Sequence, residues 1–239
     1  MRDKVLYTLG TVALLIVASC IIHVSLFVFS NQGKDASYVF RNNRPIALSR
    51  RIPEFQIIEG VPDYTNTMKV FSKNRSCAVI ASASILGYLD NNGYQDLIPE
   101  GGNLDSDLDY LSKGLYREIG CNFGLGAINH KITSGIEAYA RKHGYVFECA
   151  VKPITWLNIK EEITAGRPFL LKVVLKDYGM ENHMVVVIGL SEKPEKAIVV
   201  LDNWDNGSPE HIIEWKAINI SRQYAGTAMI TVVDSGEKR

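Results

Sequence analysis

The chain has 239 residues, which suffice for one domain of ordinary size with a sizeable hydrophobic core. Apolar residues make up 46% of it and charged residues 22%, a globular composition that excludes wholesale disorder and a disulfide-dominated mini-protein. The 26 basic residues balance the 26 acidic ones, so the composition lacks the electrostatic signature of nucleic-acid binding, and we expect no nucleic-acid partner.

The first thirty residues differ from the rest. No side chain between residues 5 and 29 is charged, and the apolar side chains would surround the whole circumference of a helix. About 20 apolar residues span a bilayer, so we predict a transmembrane signal anchor over residues 1–30 that tethers an extracytoplasmic domain to the membrane. Two processing alternatives stay open, namely lipidation of Cys20 in the lipobox-like sequence VASC and cleavage after Ser30. The opposite orientation also stays open, because basic residues are more numerous after the run than before it.

After this segment the sequence predicts a tether followed by one domain. Residues 31–60 are polar, contain Pro45 and Pro53, and end in a predicted strand at 54–58. Residues 61–239 show helical patterns first and strand patterns later, which predicts an α+β fold with N-terminal helices packed on an antiparallel sheet. The third helix is predicted to begin at Ser134, because the spacing Ser134-x-x-Glu137 is typical of a capping box. Helices are predicted over 77–89, 105–119, 134–144 and 156–165, and later strands over 145–151, 169–175, 183–190, 197–202, 211–215 and 227–233.

The four cysteines do not form a metal-binding pattern. They stand at positions 20, 77, 121 and 149, with no CxxC pair and no histidine at zinc-ligand spacing. We therefore expect no metal and no other cofactor. Cys121 and Cys149 either form a disulfide in an exported domain or are two inert buried thiols.

Cys77 is the candidate nucleophile. It follows a polar run that includes Lys73 and Arg75 and begins an apolar helix. Backbone N–H groups without helical partners, together with the positive end of the helix dipole, favour a thiolate in the first turn. The alternative is a small core residue beside an apolar run.

A register argument selects its partners. The strands at 183–190 and 197–202 flank a loop of six residues and are predicted to form a hairpin. If the hairpin closes symmetrically, Val185 faces Asp202 and His183 faces Trp204. Asp202 is then a diagonal neighbour of His183 on the same face, while Asn203 projects to the other face. A slip of one residue reverses this assignment, so Asn203 is the alternative to Asp202.

This arrangement suits acid–base chemistry. A carboxylate hydrogen-bonded to one ring nitrogen of His183 would fix the tautomer and leave the other nitrogen to accept the thiol proton. Trp204 over the pair would exclude water. The alternative for His183 is a satisfied histidine at a strand end. His130 and His211 have no evident acidic or thiol companion at informative spacing in the sequence.

These motifs, in this order, resemble the papain-like cysteine peptidases of the bacteriocin-processing type, in particular their stand-alone exported bacterial forms. The resemblance covers residues 61–233. The motifs that carry it are CA at 77–78, ILGYLDNNGY at 85–94, SGI at 134–136, YA at 139–140, NHMVVVIG at 182–189 and VLDNW at 200–204.

The resemblance implies a catalytic triad of Cys77, His183 and Asp202, which agrees with the register argument. Two features depart from the family pattern. Val79-Ile80-Ala81 stands where relatives commonly have Pro-Thr-Ala, and Phe71 stands where relatives place a glutamine that donates to the oxyanion hole. Asn74 is a candidate substitute for this donor.

We therefore predict a membrane-tethered cysteine peptidase that hydrolyses a peptide or protein substrate through Cys77, His183 and Asp202. The missing glutamine keeps open a catalytically inactive fold that binds peptides or partners. A transglutaminase-like or amidase-like acyl transferase with the same three residues is the third interpretation.

Overall fold

An antiparallel sheet of seven strands organises the part of the chain that the structure, a computed structural model, describes. The described residues are 55–65, 76–98, 104–120, 127–175, 180–204, 210–224 and 226–238, all within one compact unit over residues 40–239. The strands are β1 (Phe55–Ile57), β2 (Tyr145–Lys152), β3 (Phe169–Leu175), β4 (Met180–Ser191), β5 (Ala197–Leu201), β6 (Glu210–Glu214) and β7 (Ala228–Lys238). Their order across the sheet is β2-β7-β3-β4-β5-β6, with β1 paired to β4.

The described ranges contain five helices: α1 (Cys77–Asn91), α2 (Leu104–Ile119), α3 (Asn129–Lys142), α4 (Trp156–Thr164) and α5 (Trp215–Ser221). Because side chains alternate along a strand, the central strands contribute to two apolar cores. Leu170 of β3 packs with α1, α2 and α3 on one face, whereas the adjacent Leu171 packs with α4 and α5 on the other. The predicted α+β class with N-terminal helices on an antiparallel sheet is confirmed.

Helix α1 is buried over most of its length. All residues from 78 to 87 are buried, including Ser82 and Ser84. The Ser82 hydroxyl donates to the carbonyl of Ala78 at 2.7 Å, which satisfies a polar group inside the core. The helix is apolar on every side because it contacts the sheet, α2 and α3 together. This central position fixes its first residue, Cys77, relative to the strands.

The start of the third helix and the region after β6 differ from the prediction. Helix α3 begins at Asn129, and the Ser134 hydroxyl donates to the carbonyl of Lys131 within the helix instead of capping its end. Glu137 accepts a hydrogen bond from the backbone N–H of Cys149 at 2.9 Å, so the side chain that the capping box required ties α3 to β2. Helix α5 was predicted only as the end of a strand and the loop after it.

The register of β4 and β5 agrees with the prediction at one end of the hairpin only. Beside the loop, Ser191 pairs with Ala197, one residue away from the predicted symmetric closure. An irregularity between Val187 and Gly189 shifts the register by one residue. Beyond it, Val187 pairs with Val200, as predicted. A β-bulge therefore restores the alignment toward His183 and Asp202, on which the site prediction depends.

Several predictions concern residues outside the described ranges. These are the anchor over residues 1–30, Cys20, most of the tether, Phe71, Asn74 and Cys121. Among the helices that the structure describes, none combines the length and apolarity needed to cross a bilayer. Strand β1, predicted at the end of the tether, joins the sheet of the domain through its pairing with β4.

The caps of α3 and α4 give a test of these assignments. The Thr155 hydroxyl accepts a hydrogen bond from the backbone N–H of Asn158 at 3.2 Å and caps α4. We expect Thr155→Ala to lower the free energy of unfolding by about 1 kcal/mol, the usual value of an N-cap. Ser134→Ala, the matched control, should cost less than about 0.5 kcal/mol, because Ser134 is exposed inside α3. Urea unfolding of both variants measures the difference, and equal losses would contradict the observed start of α3.

Candidate active site

The structure brings the side chains of Cys77 and His183 into hydrogen-bonding contact, and it places Asp202 against His183. Cys77 is the first residue of α1, His183 lies near the start of β4, and Asp202 directly follows β5. The Cys77 thiol and the His183 imidazole share a side-chain hydrogen bond. Residues that are distant in the sequence therefore meet where the N-terminus of a helix reaches the sheet.

The helix terminus supplies donors to the sulfur. The first helical hydrogen bond of α1 runs from the N–H of Ile80 to the carbonyl of Ser76 at 2.9 Å, so the N–H groups before Ile80 are outside the helical ladder. Ser76 precedes the helix without a side-chain capping hydrogen bond. The N–H of Ala78 instead donates to the sulfur of Cys77, and so does the N–H of Met184 from β4. These donors favour the anionic form of the sulfur.

The pKa values of Cys77 and His183 are shifted toward an ion pair. Burial opposes ionisation of the Cys77 thiol, but the hydrogen bond and charge of His183, with the two backbone donors, outweigh it and lower the pKa of Cys77. Burial likewise opposes protonation of His183. Its contacts with Cys77 and with Asp202 outweigh that effect and raise the pKa of His183. The arrangement therefore stabilises a thiolate beside an imidazolium.

His183 is oriented by the main chain of Asp202. Its Nε2 donates to the carbonyl oxygen of Asp202 at 2.7 Å, which leaves Nδ1 for the sulfur of Cys77. His183 is 6% exposed and Asp202 is completely buried. The sequence analysis expected the carboxylate of Asp202 to hold the ring. The predicted residue is thus in place, but the hydrogen bond uses its carbonyl oxygen, since the chain turns immediately after β5.

The carboxylate of Asp202 is held by two other groups. Oδ1 accepts a hydrogen bond from the backbone N–H of Trp204 at 2.9 Å. Oδ2 lies 2.8 Å from Nδ1 of His211, a residue of β6 that is 9% exposed. The expectation that His211 lacks an acidic companion was wrong. The pairing of β5 with β6 explains the contact, because His211 lies opposite Val200 and therefore diagonal to Asp202.

A further carboxyl group lies near this pair. Burial raises the pKa of Asp63 to about 7, and the charges of Asp202 and Glu210 act in the same direction, while His211 opposes them. One carboxyl oxygen of Asp63 is buried without a hydrogen-bond partner. The region behind His183 therefore contains three carboxyl groups and one imidazole. The sequence analysis did not identify Asp63, because no motif surrounds it.

Trp204 and Asn203 take the positions that the alternation of side chains predicts. The indole of Trp204 lies over the imidazole of His183, with ring centroids 4.3 Å apart and an angle of 32° between the planes. Asn203 points away from His183, and its amide donates to the carbonyl of Tyr64 at 3.0 Å and to the hydroxyl of Ser84 at 3.3 Å. Asn203 is therefore a bridge to α1 and not the residue that contacts the imidazole.

Lys172 adds positive charge beside the sulfur. It lies on β3 directly opposite Met184, whose N–H donates to Cys77. Burial lowers the pKa of Lys172, and the charge of Cys77 partly offsets this effect. The interaction favours the thiolate. The sequence analysis missed Lys172 because a single lysine in an apolar strand pattern carries no signal of its neighbours.

The remaining cysteine of the described ranges is chemically different. Cys149 on β2 carries a free thiol, and burial together with the charge of Glu137 raises its pKa to about 12. Cys121, its predicted disulfide partner, lies outside the described residues. Among the residues that the structure describes, no group of three or more His, Cys, Asp or Glu side chains is arranged to hold a metal ion.

Comparisons with known proteins do not assign this chain to a family: no family model matches it, and no curated protein does. The chemistry of the site is therefore argued from its own geometry.

The opposite pKa shifts of Cys77 and Cys149 predict selective alkylation. At pH 6, iodoacetamide should modify Cys77 at least 100-fold faster than Cys149, because only the thiolate reacts. His183→Gln should slow the modification of Cys77 at pH 6 by at least about tenfold, which is the factor expected when the pKa of Cys77 rises by one unit. Peptide mass spectrometry after timed quenching measures both rates, and His143→Gln on the far end of α3 is the control. Equal rates for the two cysteines would contradict the ion pair.

The contact through the main chain of Asp202 predicts a mild effect of Asp202→Asn. Where a carboxylate is the acceptor that fixes the tautomer, the amide substitution costs about 10⁴-fold in rate. Here the carbonyl remains as the acceptor after the substitution, so we expect a loss of no more than about threefold, well below that of His183→Gln. The rate of Cys77 alkylation at pH 6 measures it without reference to any substrate. A loss as large as that of His183→Gln would show that the carboxylate itself orients the ring.

Proposed function

We propose that this protein is a papain-like cysteine peptidase in which Cys77 is the nucleophile, His183 the general acid and base, and Asp202 the residue that orients His183. The single observation that supports it most is the hydrogen-bonded Cys77–His183 pair at the start of a buried helix, with pKa shifts that favour the ion pair. Structural cysteines in an apolar environment have the opposite shift, as Cys149 does.

The reaction follows from this geometry. The Cys77 thiolate attacks the carbonyl carbon of a peptide bond, an S–C bond forms, and the carbonyl π electrons move to the oxygen. The tetrahedral intermediate collapses when the imidazolium of His183 gives its Nδ1 proton to the leaving amine and the C–N bond breaks. Water then attacks the thioester, with His183 accepting its proton, and the acid product leaves as the thiolate is restored.

The oxyanion would form next to the start of α1. The N–H of Cys77 lies outside the helical ladder and is the first candidate donor. The ammonium of Lys172 adds a positive charge on the neighbouring strand. These groups would replace the oxyanion-hole donor that members of the resembled family have as a glutamine, at the position where this chain has Phe71.

Water exclusion supports catalysis by the same pair. Trp204 covers the imidazole of His183, and both His183 and Asp202 are buried. In a site shielded from water, electrostatic interactions are stronger, so the ion pair and the hydrogen bond to the Asp202 carbonyl gain strength.

The substrate would be a peptide or a protein. We also propose the membrane tether, which rests on the uncharged run at residues 5–29.

A peptidyl electrophile tests the nucleophile. We expect an acyloxymethyl ketone or a vinyl sulfone on a peptide scaffold to label the full-length protein at one site, and Cys77→Ala to abolish the labelling. Cys149→Ala is the matched control and should label like the wild type, because its thiol has a pKa of about 12. Unchanged labelling of Cys77→Ala would remove Cys77 from the reaction.

The products of a peptide library separate hydrolysis from acyl transfer. A peptidase gives new carboxyl termini, and addition of an amine acceptor leaves the product unchanged. Conversion of the products to amides by the added amine would indicate acyl transfer by the same residues. An active Cys77 thiolate without turnover of any peptide would indicate a binding fold.

A further inference from the structure

The described residues contain a buried chain of contacts that extends beyond the three proposed catalytic residues. The sulfur of Cys77 contacts His183, Nε2 of His183 donates to the Asp202 carbonyl at 2.7 Å, and the Asp202 carboxylate lies 2.8 Å from Nδ1 of His211. His183, Asp202 and His211 are 6%, 0% and 9% exposed. The proposed triad does not use His211, although His211 is the last residue in this series of contacts.

The turn at Asp202 links the position of the Asp202 carboxylate to the direction of the Asp202 carbonyl. Oδ1 of Asp202 accepts from the N–H of Trp204, two residues ahead, which closes a side-chain turn over Asn203. Asn203 has φ of 60°, a left-handed conformation that asparagine tolerates better than most residues. The direction of the Asp202 carbonyl is therefore coupled to the position of the Asp202 carboxylate. A group that holds the carboxylate also holds the acceptor of His183.

His211 is placed to be that group. It belongs to β6, whose pairing with β5 fixes its backbone opposite Val200. Its Nδ1 lies 2.8 Å from Oδ2 of Asp202, at ion-pair distance, and is in reach to donate to the carboxylate oxygen that does not take part in the turn. The charge of His211 also acts on Asp63 against the charges of Asp202 and Glu210. A buried carboxylate that loses such a donor bears the full cost of desolvation.

We propose that His211 is a positioning residue of the site, which donates from Nδ1 to Asp202 and thereby fixes the carbonyl that orients His183. The ligand of His211 is the enzyme's own carboxylate and not the substrate, so His211 is not itself catalytic. This inference rests on the proposed function for its catalytic meaning. The contact chain and its effect on Cys77 are testable without a substrate.

The tautomer of His211 in the wild-type protein tests the first half of the proposal. A donor at Nδ1 requires a proton on that nitrogen, and the hydrogen bond of a histidine decides which nitrogen carries it. In long-range ¹H–¹⁵N spectra of the full-length protein labelled with ¹⁵N-histidine at pH 8, we expect the His211 signals to show a protonated Nδ1. The signals that are absent from the spectrum of His211→Asn are assigned to His211. A neutral ring with an unprotonated Nδ1 would overturn the proposal.

Two substitutions of His211 test the second half. His211→Asn keeps a donor near the position of Nδ1, whereas His211→Leu removes it at similar size. We expect His211→Leu to slow the alkylation of Cys77 at pH 6 by about 10-fold or more, by analogy with the roughly 10–100-fold effect of removing the groups that orient metal-bound histidines. His211→Asn should stay within threefold of the wild type. His130→Leu, at an exposed position in the first turn of α3, is the control for a histidine replaced elsewhere.

The outcomes separate this inference from the proposed function. If His211→Leu and His211→Asn both alkylate like the wild type while His183→Gln does not, His211 has no positioning role and the peptidase proposal stands. If both are equally impaired, the donor is not what matters, and the inference fails. If His211→Leu alone is impaired but no peptide is hydrolysed by the wild type, the positioning role holds and the peptidase proposal fails. Should His211→Leu not fold, the tautomer in the wild type decides.

Discussion

The hydrogen bond between Cys77 and His183 is the interaction on which the rest of the site depends. Burial alone would raise the pKa of Cys77 and lower the pKa of His183, because burial disfavours both the thiolate and the imidazolium. Each becomes favourable only in the presence of the other, with help from the N–H groups of Ala78 and Met184. The fold must therefore bring a helix terminus and a strand end together closely. The burial of α1 between the sheet and two other helices meets this requirement, because it fixes the first turn of the helix against the strands.

Local signals predicted most of the elements and failed where two patterns compete. The apolar helix beginning at Cys77 and the Val-rich strand after His183 were found because composition and periodicity agree there. The predicted start of α3 was wrong because the spacing of Ser134 and Glu137 matches a capping box by coincidence. Glu137 in fact binds the backbone of Cys149 on β2. A capping box and a tertiary contact use the same residue types, so the sequence alone does not distinguish them.

The register argument identified Asp202 beside His183 and still missed how the two interact. It treated the hairpin as symmetric, whereas Ser191 pairs with Ala197 and a bulge near Val187 restores the predicted alignment. Two deviations therefore compensate. Side-chain alternation places a residue on a face, but it does not state whether its carboxylate or its carbonyl reaches a neighbour. That choice depends on the turn after β5, which no periodic pattern describes.

Charge balance accounts for the groups that the sequence analysis did not find. A thiolate–imidazolium pair is neutral overall, and a buried carboxylate behind it adds a negative charge that the protein must compensate. His211 lies at ion-pair distance from Asp202, and Lys172 lies on the strand opposite the sulfur's backbone donor. Both residues come from strands next to β4 or β5, at positions that only the pairing of the strands defines. The proposed triad is thus predicted from short motifs, whereas its electrostatic support is a property of the sheet.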